Sequence, residues 1–298
     1  MKMLITGASG FIGGRLIRYL LERGGVQIRA ASRTQRSWPA GVEGCVADIE
    51  QPATLRDACS GMDAVVNLAS MGERLCSLDP CAALRVNAGG TFAWTSAANS
   101  GGVSRFVQVS TSKVYGNNPN GVITEESPCA PQSHYAITHR AAEDYAVFQH
   151  PNSVVLRLAN GFGAPDDSAV DGWGTIVNQI CRQAVLERRI IIKSSGMAWR
   201  NFIPMQDVVR VLDSAAIKLP AGIYNVGSHD SIQLRALAER ISQVCANTLG
   251  FLPVISTGPA AEGEQHIPLD YRIEKLATAG FNPTRSFDDE VSKLLRAV

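Results

Sequence analysis

The chain has 298 residues, 45% of them hydrophobic and 18% charged, enough for one large domain or two smaller ones with a full core. Its formal net charge is only +1, so composition gives no electrostatic case for binding nucleic acid or an anionic membrane surface. Seven cysteines, an odd number without a C-x-x-C pair, read as reduced thiols and argue against a disulfide framework or a zinc site.

The opening residues "MKMLITG" form a strand that runs straight into a glycine loop. They do not resemble a charged n-region followed by an apolar stretch, and no run of 18 apolar residues follows, so the expectation is a soluble, cytoplasmic protein. Further short β-rich runs follow: "VQIRAAS", "GCVAD", "DAVVNLA", "SRFVQVST" and "SVVLRLA". Helical stretches separate them at Phe11–Arg23, Pro52–Cys59, Pro80–Asn99 and Ser133–His150. Strands alternating with helices predict βαβ units and a Rossmann-type, doubly wound parallel sheet covered on both faces.

The pattern loosens after Asn160. A glycine-rich, aromatic segment, "NGFGAPDDSAVDGWG", leads to a helix near Ile176–Glu187 and an expected hairpin around Ser194–Gly196. "GIYNVGS", from Gly222, reads as a returning strand, and the tail from Ser231 as two helical stretches around a Pro/Gly-rich loop. The expected organisation is a dinucleotide-binding domain over residues 1–160, with a return over about 202–228. A smaller, interleaved C-terminal substrate-binding region would take 161–201 and 229–298.

The most specific feature is "LITGASGFIGGRLI". Gly7, Gly10 and Gly13 are spaced G-x-x-G-x-x-G between a strand and an amphipathic helix. Glycine lets backbone N–H groups and the helix N-terminus approach a pyrophosphate that a side chain would block. The loop residues Gly7, Ser9, Gly10, Phe11, Ile12 and Gly13 are therefore the expected cofactor cradle. At the end of the second strand an acid would hold the ribose 2′-hydroxyl of NAD, whereas an arginine accommodates the 2′-phosphate of NADP. The chain reads "AASRTQR" there, with Ser32, Arg33 and Arg36 and no acid, which favours NADP, with NAD as the alternative. Asp48, after the third strand, is placed either to accept from the adenine amino group or simply to form a turn.

Tyr135 and His139 are four residues apart and share a helix face. The preceding strand end, "VSTSKVYG", offers the hydroxyls of Ser110, Thr111 and Ser112. A tyrosine–hydroxyl pair beside a nicotinamide suits proton transfer to or from an alcohol oxygen while hydride moves at its carbon.

In order along the chain, "TGASGFIG", "ADI", "NLAS", "RVNAGGT", "VSTSKVYG", "YAITH", "LRLANGFG", "RNFIPMQD" and "YNVGS" resemble the extended short-chain dehydrogenase/reductase family of nucleotide-sugar epimerases, dehydratases and reductases. The resemblance implies Tyr135 as acid/base, Thr111 as its hydroxyl partner, and Ile49, Leu68 and Ala69 beside the cofactor. It makes Asn87 structural or close to the nicotinamide, and puts Asn160 and Arg200 on the substrate, the guanidinium on its diphosphate. It also implies a homodimer, in which the Pro80–Asn99 helix and the helix after Tyr135 pair across a two-fold.

The departures narrow the chemistry. The family pattern is Tyr-x-x-x-Lys, whose lysine bonds the nicotinamide ribose and lowers the tyrosine pKa; this chain has His139 there. A histidine of ordinary pKa is only about a quarter protonated at neutral pH. Lys113, two residues past Thr111, is expected on the same strand face and able to bring a cation into the cleft. Arg140 faces about 100° away on the helix and is the weaker substitute. Family dehydratases carry Asp-Glu where this chain has Ser112-Lys113, which counts against dehydration. The second phosphate-binding arginine of many members is missing from the stretch Ala260–Gln265, and Arg272 is the alternative. The expected activity is NAD(P)-dependent 4-keto reduction or C4 epimerisation of a nucleotide-sugar; the alternative is an impaired enzyme that serves as a cofactor-binding sensor or scaffold.

Overall fold

A computed structural model describes residues 1–167, 170, 172–260, 262–263, 267–284 and 286–298. Seven strands form the main sheet in the spatial order Gly222–Val226, Ser153–Leu158, Arg105–Thr111, Ala64–Asn67, Lys2–Thr6, Gln27–Ser32 and Val42–Val46. All six pairings are parallel. Every residue of Ser153–Leu158 is buried, as its run of branched apolar side chains requires of a strand covered on both faces.

Strand order reverses between Lys2–Thr6 and Ala64–Asn67, so the crevice of the doubly wound fold opens beyond Thr6 and Asn67. The Thr6 hydroxyl donates to the Asn67 side-chain oxygen and accepts from the backbone N–H of Leu68 and Ala69, tying the two strand ends together. The Gly222–Val226 strand returns to the edge of this sheet, as "GIYNVGS" suggested.

A second core lies to one side. Phe162, Ile180, Ile190, Phe202, Leu237, Ile241 and Leu294 are buried together. Small sheets flank it: Asn160–Phe162 beside Trp199–Pro204 and Ser231–Gln233, and Arg189–Ile192 beside Val254–Thr257. The hairpin expected around Ser194–Gly196 does not form. Gly196 does make a turn at φ +80°, but the strands on its two sides enter different sheets. A turn fixes a reversal of the chain; the partner of each strand is fixed by which apolar face must be buried. Besides the two long tail helices, Leu234–Leu249 and Phe287–Arg296, a short one spans Glu274–Thr278.

The Pro80–Asn99 stretch is helical but not uniform. A π-helical turn, Leu84–Gly89, separates Pro80–Ala83 from Gly90–Ser100. Such a turn re-aims side chains, and Asn87 sits within it.

Candidate active site

Gly7 sits at φ +60°, and a Cβ there would lie 2.7 Å from the backbone of Leu68. A Cβ on Gly13 would lie 2.6 Å from the carbonyl oxygens of Gly7 and Ala8. Both positions therefore demand glycine, and the bare loop feeds directly into the helix Phe11–Arg23. Ser9, Gly10, Phe11 and Ile12 line the turn and are partly exposed. Asp48 accepts the Glu50 backbone N–H at 3.1 Å, so its turn-forming role is present in the fold. Ile49 packs toward Gly90.

At the end of the second strand the Ser32 hydroxyl donates to the Thr34 carbonyl at 2.6 Å. Arg33 and Arg36 are exposed and hold no ion pair among the described residues.

The helix carrying Tyr135 spans His134–Gln149 and is capped by Ser133, whose hydroxyl accepts the Ala136 N–H. Its position is fixed from beneath by a buried ion pair. Arg157 and Glu143 are 2% and 0% exposed and meet at 2.7 Å, and the Ser110 hydroxyl also donates to Glu143. Arg157 further donates to the Tyr115 hydroxyl at 2.8 Å, which donates in turn to Asn225. Breaking such a pair leaves an uncompensated charge, so the network holds the helix against the sheet firmly.

Asn87 provides a second tie. Its side-chain oxygen accepts the Met71 N–H at 2.7 Å and its amide donates to the Thr138 hydroxyl at 3.0 Å. Of the two roles expected for Asn87, the structural one is the one its bonds show.

Above this support the Thr111 hydroxyl lies beside the Tyr135 phenol and favours its ionised form, although it accepts the Lys113 backbone N–H and makes no formed hydrogen bond to the phenol. Of the three hydroxyls in "VSTSK", Thr111 is the one placed to act on the phenol, and Ser110 is committed to Glu143. The Tyr135 ring is half-buried, and the burial pushes its pKa up to about 12. The Glu73 carboxylate adds to that rise, the nearby Thr111 hydroxyl opposes it, and no cation offsets it.

His139 supplies no charge. Its ring stands edge-on to Tyr135 at 4.4 Å and is 3% exposed. Neither ring nitrogen makes a formed hydrogen bond; the nearby Val109 carbonyl favours the protonated ring slightly but already accepts the Gln108 amide at 2.8 Å. Burial therefore lowers the His139 pKa to about 4, and the ring is neutral at working pH.

Neither expected substitute faces the phenol. The strand ends at Thr111, and Lys113 lies in the following 3-10 turn, Ser112–Tyr115, so the same-face argument fails. Its ammonium is instead paired with Glu73, at the start of the short helix Glu73–Leu78. Arg140 is bound to Asp144 and Cys129. Glu73 had no signal in the sequence beyond being an acid in the first turn of a helix, forty residues from its partner.

On the substrate side, Arg200 is half-buried, donates to the Asn118 side chain at 2.6 Å and to the Trp199 carbonyl at 2.7 Å, and has no acidic partner among the described residues. Asn160 donates to the Asn201 carbonyl at 2.8 Å, so its amide is partly committed to holding adjacent strands. Arg272 is paired to Asp270 and Glu274. Residues 261, 264 and 265 of the Ala260–Gln265 stretch lie outside the described residues. Among those described, no cluster of three or more His, Cys, Asp or Glu is arranged to hold a metal, and no helix is long and apolar enough to cross a membrane.

The residues fit a dinucleotide. The glycine cradle leaves no room for a Cβ, and His139 keeps two buried, unpartnered ring nitrogens one helical turn from Tyr135. A Rossmann sheet with a tyrosine–threonine pair at its crevice defines a dinucleotide-dependent oxidoreductase fold. Residues 3–227 match the model of the NAD dependent epimerase/dehydratase family, and the chain belongs to that family.

Among curated proteins it is similar to a dTDP-glucose 4,6-dehydratase of Streptomyces antibioticus, 31% identical over 99% of this chain and 91% of the relative. Among solved structures it resembles a UDP-N-acetylglucosamine 4-epimerase from Methanobrevibacter ruminantium, at TM-score 0.84 and 21% identity over 99% and 97% of the two chains. It also resembles the UDP-glucose 4-epimerase of Thermus thermophilus in complex with NAD, at TM-score 0.80 and 24% identity over 100% and 98%.

Proposed function

We propose that this protein is an NADP(H)-preferring reductase of a carbonyl group on a nucleotide-linked sugar. Family membership supports nucleotide-sugar chemistry with a nicotinamide cofactor, and the names of the relatives are of that class. The observation that carries the finer reading is the uncompensated phenol. Tyr135 has the Thr111 hydroxyl beside it and no cation against it, and burial pushes its pKa up to about 12.

Epimerisation and dehydration both begin by oxidising an alcohol, for which the tyrosine must accept a proton. With a pKa of about 12, only about one molecule in 10⁵ carries tyrosinate at pH 7. Reduction asks the opposite, a phenol that gives up its proton to a forming alkoxide, and nearly every molecule is ready for that. The bound cofactor supplies hydride. Tyr135 protonates the emerging oxygen, Thr111 orients it, and His139, neutral, offers its ring nitrogens to the ribose hydroxyls. Arg33, exposed and without an ion pair among the described residues, is assigned to a 2′-phosphate, and Arg200, which has no acidic partner among them, to the substrate diphosphate.

We further assign the cofactor to residues 1–160 with the return over about 202–228, and the substrate to 161–201 and 229–298. The outer faces of the Gly90–Ser100 and His134–Gln149 helices expose Phe92, Ile137, Tyr145 and Phe148, the last 87% exposed, and we assign this apolar face to a homodimer contact. Seven free thiols fit a reducing, cytoplasmic setting.

The second reading, a binder that has lost catalysis, is favoured by the neutral His139. Purified protein offered NADPH or NADH with nucleotide-linked 4-ketosugars separates the two. The proposal expects loss of absorbance at the reduced nicotinamide band, faster with NADPH and lost in Tyr135→Phe. Cofactor binding without turnover on any such substrate supports the binder.

A further inference from the structure

The cleft contains one ion pair that the reaction as described does not use. Lys113 follows Thr111 by two residues, and its backbone N–H donates to the Thr111 hydroxyl at 3.2 Å. Thr111 is the hydroxyl beside the Tyr135 phenol, and it acts to lower the phenol pKa. The Lys113 side chain reaches across to Glu73, on the short helix that packs against the helix carrying Tyr135. Three elements thus pack against the helix that carries Tyr135: the strand with Thr111, the turn with Lys113, and the short helix with Glu73.

We propose that Glu73 is a positioning residue that holds the Lys113 ammonium away from Tyr135, so that the pair keeps the phenol a proton donor and gives the site its reductive polarity. The proposal rests on the reductase reading and names the residue that enforces it.

The charges around the phenol favour this arrangement. From its own helix, His139 is neutral and Arg140 is bound to Asp144. From the Glu73–Leu78 helix come Glu73 and the Cys76 thiol, both acting to keep the phenol protonated. From the turn comes Lys113, cancelled by Glu73, and from the strands beneath, Arg157, cancelled by Glu143. Lys113 is therefore the nearest cation in sequence to the catalytic hydroxyl pair that a single change would release. The pair is partly solvated, with side-chain exposures of 33% and 48%, so it adds little to stability. A released ammonium so placed should lower the phenol pKa by about one unit, the low end of what a cation at about 4–6 Å produces.

The test is a ¹³C NMR titration of protein labelled at tyrosine Cζ, with Tyr135→Phe assigning the resonance. Native protein should show little movement of that resonance below pH 11. In Glu73→Gln the titration should begin about one pH unit lower, with about tenfold more tyrosinate at a given pH. Glu73→Asp should restore the native curve, and the double variant Glu73→Gln, Lys113→Met should keep only the smaller shift that loss of the Glu73 charge alone produces.

Superimposable curves for native protein and Glu73→Gln would overturn the proposal. So would an equal shift in the single and double variants, since Lys113 would then play no part. The titration reads the phenol directly and needs no turnover. Failure of the reductase reading would appear as missing activity, and failure of this proposal as an unmoved resonance.

Discussion

Replacing His139 by lysine tests how far one charge controls this site. The native ring is neutral, with its pKa lowered to about 4, and lies 4.4 Å from the Tyr135 ring. A cation within about 4–6 Å shifts a neighbouring acid by roughly 1–3 units. From its native value of about 12, the phenol should fall to about 9–11 in His139→Lys. At pH 8 that raises the tyrosinate population by about 10- to 1000-fold. The oxidative direction, assayed with a nucleotide-linked sugar alcohol and NADP, should accelerate by a similar factor, while the alkaline limit of the reductive direction moves down. The substitution also has a cost. The site is 3% exposed and offers no carboxylate, so burying an ammonium there costs several kcal/mol. A drop in Tm is therefore expected, and cofactor should recover part of it by mass action. A folded His139→Lys protein whose two pH–rate profiles match the native ones would refute the reasoning, because the phenol would then not be governed by the charge at position 139.

Three other outcomes follow from the same geometry. His139 should make the protein acid-sensitive. Its folded pKa of about 4 lies below the ordinary 6.5, so the unfolded chain takes up a proton first as pH falls. Stability is full above about pH 6.5 and declines toward pH 4 by up to about 3 kcal/mol; urea unfolding at pH 7 and pH 4.5 should show this loss, and His139→Leu should remove that share of it. Glu143→Gln leaves Arg157 buried without its counter-charge and should cost about 3–5 kcal/mol in denaturant midpoint analysis. Arg33→Ala should weaken NADPH binding by about 5- to 30-fold in calorimetry, the worth of a charge-assisted contact of about 1–2 kcal/mol, and leave NADH nearly unchanged.

Much of this architecture was legible in the sequence because it is written locally. The glycine loop and the alternation of branched strands with amphipathic helices each depend on residues close together in the chain or on a repeated period. What escaped was pairing over distance. Nothing near Lys113 announces Glu73, and nothing near Arg200 announces Asn118, because both contacts depend on how separate elements pack. The period-2 argument for Lys113 failed because the strand stops at Thr111, and a 3-10 turn does not keep strand alternation. The π turn at Asn87 was likewise invisible, and the bonds Asn87 shares with Met71 and Thr138 join it to elements distant in the chain. The histidine in the Tyr-x-x-x-His pattern was plain to see, but its charge state required knowing that it is buried.

The most direct test of the account follows the hydride itself. Protein incubated with a nucleotide-linked 4-ketosugar and NADPH deuterated at the transferred position should yield a sugar alcohol carrying one deuterium at the former carbonyl carbon. The cofactor should be oxidised in equal amount, and both products should vanish in Tyr135→Phe. Product without deuterium, or an epimer formed from the alcohol with no net oxidation of cofactor, would contradict the assignment of this site to carbonyl reduction.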